Sequence, residues 1–188
     1  MIRFVVALAA VFLAINLHAA SARSTSASGQ FIVYGMDVRA RGAICDLADE
    51  TKRAALQLLQ ERDAWKTPII INAQLPRADA PELRGAELHF SQTGNGLKLQ
   101  LDLRVDPELN VPAIERELLR AIFLEMMYRN ALNTPAGVAY AMPPDWLIDG
   151  TLTAKRDPAA IANLLRTPVE TESIVSLGDL LFTRVDLL

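Results

Sequence analysis

The chain has 188 residues, 51% of them hydrophobic, and a formal net charge of −3, so it is long enough to bury one full core. The charge is mildly acidic and no basic cluster occurs, which excludes nucleic acid as the natural partner. No polybasic or amphipathic tract points to a lipid surface either.

Met1-Ile2-Arg3 is followed by an apolar stretch of 14 residues, 4–17, broken only by Asn16, and then by small residues at Ala20 and Ala22. One positive residue, a short apolar core and an A-x-A site predict a cleavable secretory signal peptide over residues 1–22. The apolar stretch falls short of the roughly 20 residues that cross a bilayer, so no membrane span is expected after cleavage. No cysteine stands at the cleavage point to take a lipid anchor. Cleavage leaves 166 residues and removes Arg3, taking the formal charge from −3 to −4. The expected destination is the periplasm, the cell envelope or the extracellular space. Residues 23–30, with Ser24, Ser26 and Ser28, read as a flexible leader, and residues 31–188 as a single domain.

Phe31-Ile32-Val33-Tyr34 is a short β-type run closed by Gly35. Residues 37–62 predict a helix, with Asp37 as N-cap and an apolar stripe of Ala43, Leu47, Ala54 and Leu58, widened by Ala55 and Leu59. Lys52 falls on the polar side of that stripe. Pro68 leads into a β-branched strand from Ile69, and residues 75–85 read as loop. Residues 87–91 and 97–105 alternate at period two around Gly94-Asn95-Gly96, which predicts an antiparallel hairpin with Leu97, Leu99, Leu101 and Leu103 on one face. A helix is predicted over residues 112–132, apolar from Ala121 to Tyr128 except for Glu125, and therefore covered on several sides. Residues 133–142 read as loop. Pro143-Pro144-Asp145 opens a further helix carrying Trp146, Leu147, Gly150 and Leu152. Trp146 is expected to lock that helix onto the core, and Gly150 to permit close helix approach or a bend. Residues 157–165 and 176–182 suggest two more helical pieces. The apolar end Val185-Asp186-Leu187-Leu188 is expected to need a partner surface or a continuing domain.

Cys45 is the only cysteine, so no intrachain disulfide forms. Within Ala43-Ile44-Cys45-Asp46-Leu47 it reads as a buried structural thiol. His89 is the only histidine after the signal peptide, and its alternating surroundings read as a half-exposed sheet residue.

Two local patterns stand out within this order of elements. The buried helix carries Leu124-Glu125-Met126-Met127-Tyr128, and the next helix carries Pro144-Asp145-Trp146-Leu147-Ile148-Asp149-Gly150. Over roughly residues 85–155 the chain resembles the peptidase MA-like, or gluzincin, zinc metallopeptidase superfamily. In that family the first helix bears His-Glu-x-x-His and the later one Pro-x-Trp-Leu-x-Glu-Gly. The resemblance implies a zincin-like α+β fold: a small, mainly antiparallel sheet, then a buried central helix and further C-terminal helices.

Two histidines four apart lie on one helix face and grip one zinc. The glutamate beside the first activates the metal-bound water, and a carboxylate from the later helix completes the protein ligands. Carried over by motif, the general-base position is Glu125, the histidine positions are Leu124 and Tyr128, and the third-ligand position is Asp149. Leucine cannot ligate zinc and tyrosine replaces imidazole poorly. With His89 alone in the mature chain, no shift of register restores a two-histidine site, so no metal, no cofactor and no zinc peptidase activity are expected. The plain reading of Glu125 is a salt bridge to Arg129 at i+4. The rival is a carboxylate pair, Glu125 with Asp149, working as acid and base in a metal-independent hydrolase. The reading favoured is an exported non-catalytic domain that binds a peptide, a polymer or a protein partner of the envelope. The family's habit of laying an extended substrate on an edge strand makes residues 97–105 or 87–91 the candidate surface.

Overall fold

The computed structural model describes residues 22–35, 37–74, 85–93, 96–105, 110–130, 140–159 and 162–163. Residues 1–21 of the expected signal peptide, residues 75–84 and 133–139 of the expected loops, residues 94 and 95 of the expected turn, the helical piece expected over 176–182 and the C-terminal end lie outside the described residues; of the piece expected over 157–165, residues 158–159 and 162–163 are helical. In chain order the elements are β1 (Arg23–Thr25), β2 (Phe31–Tyr34), α1 (Val38–Leu59), β3 (Ile69–Gln74), β4 (Ala86–Thr93), β5 (Gly96–Arg104), α2 (Val111–Tyr128) and α3 (Asp145–Arg156). Among the described residues, no helix is long and apolar enough to cross a membrane.

The strands form one sheet in the order β1-β2-β3-β5-β4. Its two outer pairings, β1–β2 and β4–β5, are antiparallel, while β2–β3 and β3–β5 are parallel. The α+β content and the hairpin are as the sequence suggests; the parallel centre is an addition. It follows from α1, which carries the chain from β2 back to the same end of the sheet and so lets β3 run alongside. Arg23–Thr25, expected within a flexible leader, instead pairs with Tyr34, Val33 and Ile32. Ser26 and Gly29, the latter at φ 76°, close the tight turn between them, with Gly29 N–H donating to Ser26 O at 3.0 Å.

Cross-strand rows divide the sheet into two faces. Phe31, Ile69, Leu99 and Phe90 form one row, and Val33, Ile71, Leu101 and Leu88 the next. These rows pack with Ile44, Cys45 and Ala48 of α1 and Ile114, Leu118, Ile122 and Leu124 of α2 in one core, so both helices cover the same face. The other face carries Tyr34, Asn72, Asp102 and Glu87 in one row and Ile32, Ile70, Gln100 and His89 in another.

Asp37 caps α1 as expected, accepting Ala40 N–H at 2.8 Å. The buried stripe of α1 is rotated from the expected one. Ile44, Ala48, Thr51 and Ala55 are buried, while Leu58 is exposed. The stripe also takes in Arg41 and Lys52, which find partners inside the fold. Arg41 donates to Gly35 O at 2.6 Å and to Ser24 Oγ at 3.1 Å, and Lys52 lies 2.8 Å from Asp63. Buried charged residues break the apolar period, which is why the sequence misplaces the stripe.

A second apolar cluster docks α3 through Leu147, Ile148 and Leu152 onto Ala55, Leu119 and Phe123. Trp146 does not take part: it is 49% exposed. The inner positions of the helix go to the two residues that follow it, Leu147 and Ile148. Nothing lies within 4 Å of a side chain built at Gly150, so no close helix approach depends on it. Ion pairs flank the apolar contact. Arg116 and Arg120 reach Asp145 at 2.9 and 3.0 Å, and Lys155 reaches Glu115 at 2.6 Å and Glu50 at 3.2 Å.

Candidate functional site

Glu125 lies one turn from the end of α2 and is 2% exposed. Its Oε1 accepts the backbone N–H of Lys66 at 2.7 Å and of Thr67 at 3.3 Å. Its Oε2 stands 3.7 Å from Arg129 Nε, the i+4 partner read from the sequence. The two backbone donors come from the connection between α1 and β3. Pro68 disfavours a helical Thr67 and the strand begins only at Ile69, so these N–H groups have no ladder to join and need an acceptor. That requirement was written in Lys66-Thr67-Pro68, but the acceptor, 59 residues away, is set only by the fold.

Beside the carboxylate is a small hollow of about 10 Å³, lined in part by Gln30, Lys52, Asp63, Trp65, Glu125 and Arg129. That is room for about one water molecule and far too little for a small-molecule ligand. Lys52 sits on its wall, 2.8 Å from Asp63 and 5.8 Å from the Trp65 ring centroid. The hollow is thus closed by two ion pairs and an aromatic ring.

Asp149 is elsewhere. It is more than half exposed and bonded to Arg116 on the outer surface of α2. Arg116 precedes Glu125 by two and a half helical turns, which places the two on opposite sides of α2 and about 13 Å apart along its axis. The structure therefore does not bring Glu125 and Asp149 together, and Asp149 is not among the residues lining the hollow.

Leu124 is fully buried in the core. Tyr128, at the second histidine position, uses its hydroxyl to accept Ala141 N–H at 2.7 Å and to donate to Ala141 O at 3.3 Å. A buried alkyl group, an engaged phenol and a distant carboxylate do not fit the zinc that the gluzincin resemblance implies. Cys45 is buried on the helix side of the sheet. Burial, reinforced by Asp49 and Asp46, pushes its thiol pKa up, away from nucleophilic use. His89 points to the opposite face, 3.5 Å from Asp102 and 4.0 Å from Glu87, so the two residues do not pair.

Of the two candidate strands, β5 is bonded on both sides, to β3 and to β4. It has no edge to offer, which corrects the expectation for residues 97–105. β4 pairs with β5 alone among the described strands. Arg104 N–H donates to Gly85 O at 3.1 Å, which makes Gly85–Arg104 a hydrogen-bonded pair. The register then alternates, so Glu87, His89 and Ser91 bond to β5 while Leu88 and Phe90 aim their backbone N–H and C=O groups outward. Tyr140 stands beside this edge, a residue the sequence left in a loop. Its ring meets Phe90 edge-on at 5.7 Å and Tyr128 at 4.6 Å. Comparison with family models, with curated proteins and with solved structures finds no match to this chain.

Proposed function

We propose that this chain is an exported, non-catalytic, zincin-like domain that binds an extended peptide segment of an envelope or extracellular partner, taking it up as an added strand on β4. The observation that carries the reading is the outward backbone of Leu88 and Phe90 on a strand with one described neighbour. An extended chain satisfies such groups with main-chain hydrogen bonds and needs no pocket. Support for a non-catalytic role comes from Glu125. A general base must reach the proton it abstracts, and this carboxylate is occupied by two backbone donors and Arg129 beneath the surface.

The test is binding of a fluorescent extended peptide, measured by anisotropy, against the same peptide N-methylated at alternate residues. Methylation on the bonded edge is expected to abolish binding, and methylation shifted by one residue to leave it intact. Leu88→Pro removes only an outward N–H and is tolerable on an edge strand; it should lose the peptide while circular dichroism stays unchanged. Equal binding of both methylated peptides would rule out strand addition.

A further inference from the structure

The two faces of β4 offer opposite chemistry to a strand laid outside it. On the helix side stand Leu88 and Phe90, with the Tyr140 ring packed across Phe90 at an interplanar angle of 85°. Tyr128 holds Tyr140 from behind at 79°, and is itself fixed by the hydroxyl's two bonds to Ala141. The result is a part-exposed aromatic wall anchored to α2. On the open side, Glu87 lies directly across from Asp102, with His89 within 4.0 Å of both. Asp102 is held by Asn72 Nδ2 at 2.8 Å and Gln100 Nε2 at 3.1 Å, and the row it shares with Glu87, Asn72 and Tyr34 contains no arginine or lysine, the nearest basic residue on that face of β5 being Arg104, two positions along. Toward the turn, the next pairs on this face are His89 with Gln100 and then Ser91 with Lys98, so the sign of the charge changes along the strand.

We propose that the partner segment alternates apolar and polar side chains, sets a large aliphatic or aromatic residue against Phe90 and Tyr140, and carries lysine or arginine beside Glu87. This rests on the strand-addition reading above. Residues opposite one another on paired strands have side chains about 5 Å apart, close enough for both preferences to act. A basic residue beside Glu87 gains from two carboxylates, whereas one beside Ser91 meets Lys98. Charge and aromatic contact together fix which stretch of the partner enters and in what register.

Anisotropy titrations with ten-residue peptides test this: alternating valine and lysine, alternating valine and glutamate, each of the two with alternate N-methylation, and lysine peptides with phenylalanine or serine at the wall position. The lysine peptide should bind about two- to fivefold tighter than the glutamate one at low salt, the size of an exposed cross-strand charge pair. The advantage should shrink as salt rises and reverse in Glu87→Lys. Tyr140→Ala should weaken a peptide with phenylalanine at the wall by about three- to tenfold, and leave one with serine there unchanged. Equal affinity for lysine and glutamate peptides, with methylation still blocking both, overturns the specificity while strand addition stands. Binding of none of the peptides overturns strand addition and this inference with it.

Discussion

Glu125 Oε1 accepts the Lys66 N–H at 2.7 Å, and Lys66 Nζ in turn reaches Asn130 Oδ1 at 2.7 Å. One lysine thus holds the end of α2 from two sides, and the α1–β3 connection is fastened to the helix that covers the sheet. A buried carboxylate is tolerable only with such partners. Glu125→Gln keeps an acceptor for Lys66 but removes the charge facing Arg129, whose side chain is itself mostly buried. A loss of about 1–3 kcal/mol is expected in denaturant melts. Glu125→Ala orphans both N–H groups as well and should approach about 3–5 kcal/mol. Arg129→Met and the double variant complete a cycle, and a coupling of at least about 0.5 kcal/mol is expected between the pair. A Glu125→Gln protein as stable as wild type, without coupling, would show that the residue is free for chemistry.

Leu124, Tyr128 and Asp149 set the expectation for metal. Purified protein dialysed against trace zinc should hold well under one equivalent by elemental analysis, and added zinc should produce no peptide cleavage. The restoring variant is informative in the opposite sense. Leu124→His places a polar ring in a fully buried apolar site and should cost stability by about 2–4 kcal/mol without creating a site. One tightly bound zinc per wild-type chain, lost in Asp149→Ala, would contradict this.

The parts of the fold that were legible are those fixed by local pattern. Alternation at Leu97, Leu99, Leu101 and Leu103 and the glycines near residue 95 specify the hairpin. Asp37 specifies the start of α1. The apolar run around Glu125 specifies a covered helix with an Arg129 partner. The parts that were not legible depend on distant partners. Lys52 is buried because Asp63 and Trp65 come to it, and no period in α1 announces that. Trp146 reads as core because it is large and aromatic, whereas Leu147 and Ile148 fill the inner positions. The separation of Glu125 from Asp149 follows from where Arg116 and Arg120 dock α3, a relation between two helices that spacing within either one cannot give.

Export makes a prediction about the first strand. Cleavage after Ala22 would make Arg23, the first residue of β1, the new N-terminus, with β1 already paired to β2. Intact mass of protein recovered from the native host should correspond to residues 23–188. Retention of Met1 in a membrane fraction would mean that residues 4–17 anchor the chain instead. Deleting residues 23–25 removes one edge strand and the Ser24 partner of Arg41. A loss of about 1–2 kcal/mol is expected, because a part-buried guanidinium then loses a hydrogen bond.

Acid sensitivity is expected to reside partly in Asp49. This side chain sits in the middle of α1 and accepts Ser28 N–H at 3.0 Å, tying the β1–β2 turn to the helix. Burial alone would raise its pKa, but the hydrogen bonds from Ser28 and Ser26, with help from the Lys52 charge, outweigh it and hold the carboxyl below its ordinary value. The folded state therefore binds the proton less readily than the unfolded chain. The resulting stabilisation is fully present above the unfolded carboxylate value of about 4, and is lost as pH falls through the lower folded value. Asp49→Asn keeps the shape but cannot ionise. At pH 7 it should be less stable than wild type by about 1 kcal/mol, a figure reduced for partial exposure. The gap should narrow as pH falls below the ordinary carboxylate range, because wild-type Asp49 then takes up its proton and loses the charge that the Ser28 and Ser26 hydrogen bonds hold. Denaturant midpoints across pH 2 to 7 measure the difference directly. A constant gap between wild type and Asp49→Asn over that range would show that the carboxylate's charge contributes nothing to holding the turn.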